Sequence, residues 1–322
     1  MVKNTMQWLK KCGISACLSG MMLTAAHASS APLEFIVPYP PGGASDIIVR
    51  ALAPHLSKAT GRNVVVTNRG GANTAIAAMQ LARSAPDGNT IMLADVALAL
   101  NSVVRKQSPG YDVEKDFTPI IQIGSAPLVL FTASTSHSDL PSFLEKGRKE
   151  ELHISNAGPG SLGHLAAELL RLRSGLNIVS VPYRGSGPAL NETLGGQVDA
   201  IFTSTATGMP LVENKQLNAL AVADDKKVDK YPDIPTFDSF DIQGVKAINW
   251  WGLIAPAGLD QATVKQLAEA VRTAMAEPEL KQRFDALGIN PTLNEGDAFA
   301  AMIRQELDQW GRVVKEADIQ MD

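Results

Sequence analysis

Two strand-to-loop junctions in opposite halves of the chain read almost alike: Val37-Pro38-Tyr39-Pro40-Pro41-Gly42-Gly43 and Val181-Pro182-Tyr183-Arg184-Gly185-Ser186-Gly187. Each follows a short apolar run, Leu33 to Val37 and Ile178 to Val181, and each leads into a helical pattern. A strand, a glycine loop and a helix start place backbone N–H groups at one edge of a sheet. The helix dipole adds partial positive charge at the same spot. Two such devices in one chain predict two lobes that face each other and hold an anion between them.

The rest of the chain alternates short β-rich runs with helical periodicity, the pattern of an α/β protein. Strands are expected at Leu33–Val37, Val64–Thr67, Thr90–Leu93, Leu128–Phe131, His153–Asn156, Ile178–Val181, Ala200–Thr203, Ala219–Val222 and Trp251–Ile254. Helices are expected at Ser45–Leu56, Asn73–Arg83, Ser161–Arg173, Ala189–Leu194, Gln261–Met275, Glu279–Leu287 and Asp297–Ala317. In Ser45–Leu56 the residues Ile48, Ala51, Leu52, His55 and Leu56 fall on one face, and in Ser161–Arg173 Leu162, Leu165, Leu169 and Leu172 form such a stripe. Asp260 reads as an N-cap, Gly288 as a helix stop, and the Pro- and Asp-rich stretch from Asp224 to Val245 as an irregular surface connection. At 322 residues the length suits about two domains.

The N-terminus reads as export machinery. Lys3, Lys10 and Lys11 precede an apolar stretch from Cys12 to Ala26, and Ala26-His27-Ala28 supplies a small-x-small cleavage pattern. Residues 1–28 are therefore expected to be a secretory signal peptide and the protein periplasmic. Ile14-Ser15-Ala16-Cys17 resembles a lipoprotein box, but the apolar region runs on past it, so lipid anchoring is the lesser expectation. Cleavage after Ala28 removes both cysteines, three of the 29 basic residues and none of the 33 acidic ones, leaving a net charge of −7. That balance argues against a nucleic-acid partner and leaves no thiol chemistry. Any anion must then be held by local dipoles and not by overall charge.

Gly158-Pro159-Gly160-Ser161-Leu162-Gly163 matches a dinucleotide fingerprint literally, following a strand and opening a helix. The ribose-binding acid that should end the next strand is missing, for that strand runs Val179-Ser180-Val181-Pro182-Tyr183. The loop can still grip a carboxylate through Gly160, Ser161 and the Ser161 hydroxyl, or be an ordinary capped turn. Gly42 and Gly43 form the matching loop in the first lobe, with Asp46 read as a helix cap because a carboxylate there repels an anion. Gly70-Gly71-Ala72-Asn73-Thr74 is a third loop, in which Asn73 and Thr74 offer neutral donors. Tyr39 and Tyr183 end strands at the cleft as ligand contacts or wall residues. His164 either reaches the cleft or packs behind the loop. Ser204 and Thr205 stand at a strand end, and Trp250 and Trp251 read as core or hinge packing. No P-loop, H-E-x-x-H or G-x-S-x-G motif is present, and the histidines form no cluster that suggests a metal.

Taken in order, the chain resembles the extracytoplasmic solute receptors of tripartite tricarboxylate transporters, the Bug receptors. The landmarks are Val37 to Gly43 with Asp46, Asn68-Arg69, Ala85-Pro86-Asp87-Gly88, and Tyr111-Asp112 with Lys115-Asp116-Phe117-Thr118-Pro119. Gly160-Ser161 with His164-Leu165-Ala166 and Glu168-Leu169 come next, then Val181-Pro182-Tyr183 to Gly185 and Pro188-Ala189-Leu190. Leu194 to Asp199, Pro232 to Thr236 and Trp250 to Gly258 complete the set. The resemblance implies a two-lobe periplasmic-binding-protein fold of the second type, with two crossovers between lobes. It implies a small organic carboxylate as ligand and a membrane permease of a large and a small subunit as partner, with no catalytic residues and no cofactor. The family's third loop commonly reads Arg-Pro-Gly-Ala-Gly-Gly-Asn-Ile-Gly; here Asn73 and Thr74 stand where two of those glycines fall.

The expected lobes are 29–131 with 252–322, and 132–251, working as a monomer. The expected contacts are Tyr39, Gly42, Gly43, Gly71, Asn73, Thr74, Gly160, Ser161, His164, Tyr183, Gly185, Ser204 and Thr205. The competing readings are an exported enzyme using a nucleotide in the Gly158–Gly163 loop, and a receptor that reports to a sensor protein.

Overall fold

The structure, a computed structural model, describes residues 31–105 and 109–319. The expected signal peptide, with Cys12, Cys17 and His27, lies outside the described residues. The chain from Ala31 onward begins with β1 (Leu33–Val37), α1 (Ala44–Thr60), β2 (Val64–Asn68), α2 (Ala75–Ala82), β3 (Thr90–Asp95) and α3 (Val96–Val104). The long β4 (Phe117–Ala133) leads to α4 (Leu140–Gly147), β5 (Leu152–Asn156), α5 (Leu162–Ser174), β6 (Ile178–Pro182), α6 (Ser186–Leu194), β7 (Ala200–Ser204), α7 (Thr205–Glu213) and β8 (Leu217–Val222). After an irregular return come β9 (Ile248–Pro256), α8 (Gln261–Met275), α9 (Pro278–Ala286), the short β10 (Asn290–Pro291) and α10 (Gly296–Glu316).

In β1, Leu33, Phe35, Ile36 and Val37 are all fully buried. That near-continuous apolar run suits a strand covered on both faces, and β1 indeed lies between parallel partners β2 and β3. The strands follow the order β2-β1-β3-β9-β4-β7-β5-β6, with β8 and β10 also paired to β4. β5 runs parallel to β6 and β7, so each lobe has a parallel core with helices at the strands' carboxyl ends.

β4 joins the two lobes. It pairs antiparallel with β9 from Phe117↔Pro256 to Pro127↔Ile248, and from Leu128 onward its partners are β7 and β8. Where the partners change, three chain segments are tied together: Leu128 N–H donates to Ala247 O, Ala223 N–H to Leu128 O, and Ala247 N–H to Ala223 O, at 2.8, 2.8 and 3.0 Å. Sequence periodicity marked only Leu128–Phe131 of this strand. Pro119, Gly124 and Pro127 break the pattern, and the register with β9 slips beside Pro119 and Gly124, where a bulge accommodates residues a regular ladder rejects.

Three helices escaped the sequence reading for recognisable reasons. In α3, Val96 through Asn101 are all buried, so there is no polar face to reveal a helical period. α7 carries Gly208 and Pro210, both weak helix formers. Gly208 is nonetheless required there, because a Cβ would collide with the Phe131 ring. α4 is a short helix capped by Asp139, whose side chain accepts from Ser142 N–H. Asp260 caps α8 as expected, accepting from Ala262 and Thr263 N–H, and Gly288 follows α9 at a φ of 63°.

The Asp224–Val245 connection is irregular and largely exposed, as expected, but it is anchored by buried side chains. Ile234, Phe237, Ile242 and Val245 are buried, and Phe237 lies in the largest core cluster. That cluster includes residues of both lobes and is closed by α10, through Phe299, Ile303, Trp310 and Val313. α10 packs against α3 and α5, and Phe299 meets the Trp250 ring edge-on at 5.5 Å. Trp250 is 1% exposed and Trp251 5%, so both tryptophans are core residues.

Candidate functional site

A cavity of about 250 Å³ opens at the carboxyl ends of the strands, lined from both lobes. Tyr39, Asn73, Asp95, Val96, Ala97 and Leu100 form one wall. Ser161, Leu162, Gly163, Ser186, Ser204 and Thr207 form the other, with Ala157 and Ile201–Thr203 behind them. Leu128 of β4 and Asn249 of β9 line it from the joining strands.

The second-lobe wall consists of helix N-termini. An α-helix leaves its first N–H groups without intrahelical partners. At α5, Ser161 Oγ accepts from His164 N–H at 3.3 Å, which leaves the Leu162 and Gly163 amides for a ligand. Gly163 lets that helix start approach β7; a Cβ there would sit 3.1 Å from Phe202 O. At α7, Ser204 Oγ accepts from Thr207 N–H at 3.3 Å and lies 3.1 Å from the Thr207 hydroxyl. α6 starts after Gly185 with no side-chain cap, and its third residue, Pro188, has no N–H. None of the three helices has an acidic residue in its first turn. Their positive ends therefore remain uncompensated.

The first-lobe wall is different. β3 ends at Asp95, whose Oδ1 caps α3 by accepting from Ala97 N–H at 3.1 Å. Its Oδ2 accepts from the Tyr39 hydroxyl at 2.6 Å. Burial pushes the Asp95 carboxyl up to about 6, against the two hydrogen bonds that favour its ionised form. Burial, then the neighbouring Asp95 charge, raises the Tyr39 hydroxyl well above its ordinary value, so it stays protonated. α1 likewise carries its own anion. Asp46 accepts from Arg50 Nε at 3.0 Å, Asn68 Nδ2 at 2.9 Å and Gly42 N–H at 3.0 Å. With Arg50 as the largest cause, its carboxyl is held at about 2.

Of the residues expected to touch ligand, the fold brings Tyr39, Asn73, Ser161 and Ser204 to the cavity. Gly42, Gly43, Gly71, Thr74, Gly160, His164, Tyr183, Gly185 and Thr205 lie off its lining. Several of their groups have internal partners: Gly160 N–H donates to His164 Nδ1 at 3.0 Å, Ser161 N–H to Gly158 O at 3.1 Å, and Gly185 N–H to Ala157 O at 3.2 Å. Burial lowers the His164 pKa, in keeping with a neutral ring that accepts this bond. Thr74 is 2% exposed and Thr205 1%, and neither buried hydroxyl has a hydrogen-bond partner.

The loop before α2 is strained. Gly71, Ala72, Asn73 and Thr74 have φ of 133°, 49°, 50° and 78°. A β-branched residue such as Thr74 is a backbone outlier there.

Asp95, Gly163, Ser186, Thr207 and Asn249 escaped the sequence reading. Asp95 carried a signal, since it ends the apolar strand Thr90-Ile-Met-Leu-Ala-Asp95 at the sheet edge where α/β ligands bind. Asn249 carried none; only the pairing of β9 with β4 brings it here. Among the described residues no group of three His, Cys, Asp or Glu is placed to hold a metal ion.

A two-lobe α/β chain whose cleft is lined by helix N-termini is a solute-binding protein of the periplasmic type. The solved structure of the periplasmic binding protein BugD matches it with a TM-score of 0.78 and 30% identity, covering 91% of this chain and 99% of that one. The chain belongs to the tripartite tricarboxylate transporter family of receptors, whose family model matches residues 48–319. It is 32% identical over 320 residues to BugT of Bordetella pertussis (strain Tohama I), covering 97% of this chain and 98% of that protein. The structure of R. palustris Rpa4515 with adipate matches with a TM-score of 0.80 and 26% identity, over 90% of this chain and 98% of that one. This is a family of solute-binding receptors and not of enzymes.

Proposed function

We propose that this protein captures a small organic carboxylate in the interlobe cavity and delivers it to a tripartite tricarboxylate-type membrane transporter. The observation that carries the reading is the convergence of α5, α6 and α7 on one cavity with neutral caps and unused N–H groups. The adipate held by the Rpa4515 structure supports the ligand class. Membership of the receptor family supports a permease as partner. In the same reading residues 1–28 direct export to the periplasm. The lobes are 29–131 with 252–322, and 132–251, with the crossovers inside β4 and β9; the change of β4's partners at Leu128 supports a crossover within that strand. Ligand capture closes the lobes about those two strands, and the receptor acts as a monomer.

A thermal-shift screen over mono- and dicarboxylates tests the reading. A ligand at about 100 times its Kd adds roughly 2.7 kcal/mol to stability. Ser161→Ala removes a cavity hydroxyl and the α5 cap, and is expected to weaken binding about fivefold while costing about 1 kcal/mol of stability. If no carboxylate moves the melting temperature and a nucleotide does, the receptor reading is wrong.

A further inference from the structure

We propose that the ligand is a zwitterion, its carboxylate held against the N-termini of α5, α6 and α7 and its ammonium group held by Asp95 and Asn249. This rests on the carboxylate reading above and goes further, by assigning the chemistry of the ligand's other end.

Asp95 is 5% exposed and lines the cavity. Its two hydrogen-bond donors, the Tyr39 hydroxyl and the Ala97 N–H, are both uncharged. Among the described residues no Lys, Arg or His lines the cavity, so these walls carry a carboxylate with no cation among its lining partners. A carboxylate offers about four lone-pair sites, and two of those on Asp95 are filled. Asn249 Oδ1 is a second acceptor: it is buried, it has no hydrogen-bond partner, and its residue lines the same cavity. A buried acceptor without a partner carries an unrecovered desolvation cost that a ligand donor removes. An ammonium group has three donors and a positive charge, the chemistry both acceptors lack, and Asn249 stands two residues from Trp251, the register partner of Asp95. A second carboxylate in the same place meets the like charge of buried Asp95 and leaves the Asn249 oxygen unpaired. With Asp95 pushed up only to about 6, it is mostly ionised at pH 7.5, where the ammonium is also charged.

Isothermal titration at pH 7.5 tests this with straight-chain dicarboxylates from malonate to pimelate, each matched to the ω-amino acid of the same chain length. For at least one pair, the amino member is expected to bind about tenfold or more tightly than its dicarboxylate. Asp95→Asn keeps a side chain able to cap α3, and should bring the two members of that pair to within about threefold. A preference that survives Asp95→Asn overturns the role of Asp95. The wild-type comparison decides by itself should the variant fold poorly. Dicarboxylates binding as tightly as their amino partners overturn this inference and leave the carboxylate reading standing. Binding by neither series overturns both.

Discussion

Tyr39 and Tyr183 end strands with the same Val-Pro-Tyr sequence, yet Tyr39 lines the cavity and Tyr183 does not. Tyr39 donates to Asp95 at 2.6 Å, whereas the Tyr183 ring packs at the edge of the smallest apolar cluster. The difference extends to the two lobes. In the first, α1 and α3 each have a carboxylate at their positive end, Asp46 and Asp95. In the second, α5, α6 and α7 begin with Ser161, Gly185 and Ser204, which are neutral. Similar strand–loop–helix units thus give one wall that supplies acceptors and one that supplies donors. In the proposed function, ligand polarity follows from which helix dipoles are already compensated.

The largest expected effect comes from removing the first lobe's internal anion. Asp46→Ala leaves Gly42 N–H, the Asn68 amide and Arg50 without their common acceptor. It should cost about 3 kcal/mol in urea unfolding. Asp46 is off the cavity lining, so ligand selectivity should not change. The two carboxylates also give opposite pH limbs. Asp46 is lowered from 3.8 to about 2, so its contribution is present above pH 4 and lost as pH falls toward 2. Asp95 is raised from 3.8 to about 6, so the stability it lends when protonated is lost as pH rises through 6. Melting curves of Asp46→Asn should therefore lose the acid limb. Those of ligand-free Asp95→Asn should flatten the slope between pH 4 and 7. If both variants show slopes of the same sign, the contrast between the two helix starts is wrong.

Next in size is the tyrosine pair. Tyr39→Phe removes the hydroxyl donor to a buried carboxylate and should cost about 2 kcal/mol. Tyr183→Phe should stay within about 0.5 kcal/mol of wild type. Equal losses from the two would mean that both turns do the same work. The smallest effect is expected in the α2 loop. Thr74→Gly relieves a left-handed β-branched residue and removes a buried hydroxyl without a partner, so it should stabilise by about 1 kcal/mol. A lower melting temperature would show that the threonine methyl's packing outweighs the backbone strain.

Much of the fold was legible because it is written locally. The apolar run of β1, the stripe of α5 and the Asp260 cap of α8 are set by side-chain period and by neighbours a few residues away. α3 was not legible, because a helix buried on every side has no period to read. The site was half legible. Ser161 and Ser204 stand at strand-to-helix junctions, where sequence pattern finds them. Gly160 and Gly185 stand at similar junctions, but their N–H groups already have partners in His164 and Ala157.

By itself, then, the sequence determined the α/β alternation, the glycine loops, the helix caps and the family, since each depends on residues close together along the chain. Only tertiary structure decided which of those loops face the cavity and which donors stay free. It also decided that Asp95 and Asn249, 154 positions apart in the numbering, line the same cavity. The reason is physical: a hydrogen-bond donor is available to a ligand only if nothing nearer in space has taken it. That depends on the pairing of β4 with β9 and on the packing across the lobes, which no local pattern encodes.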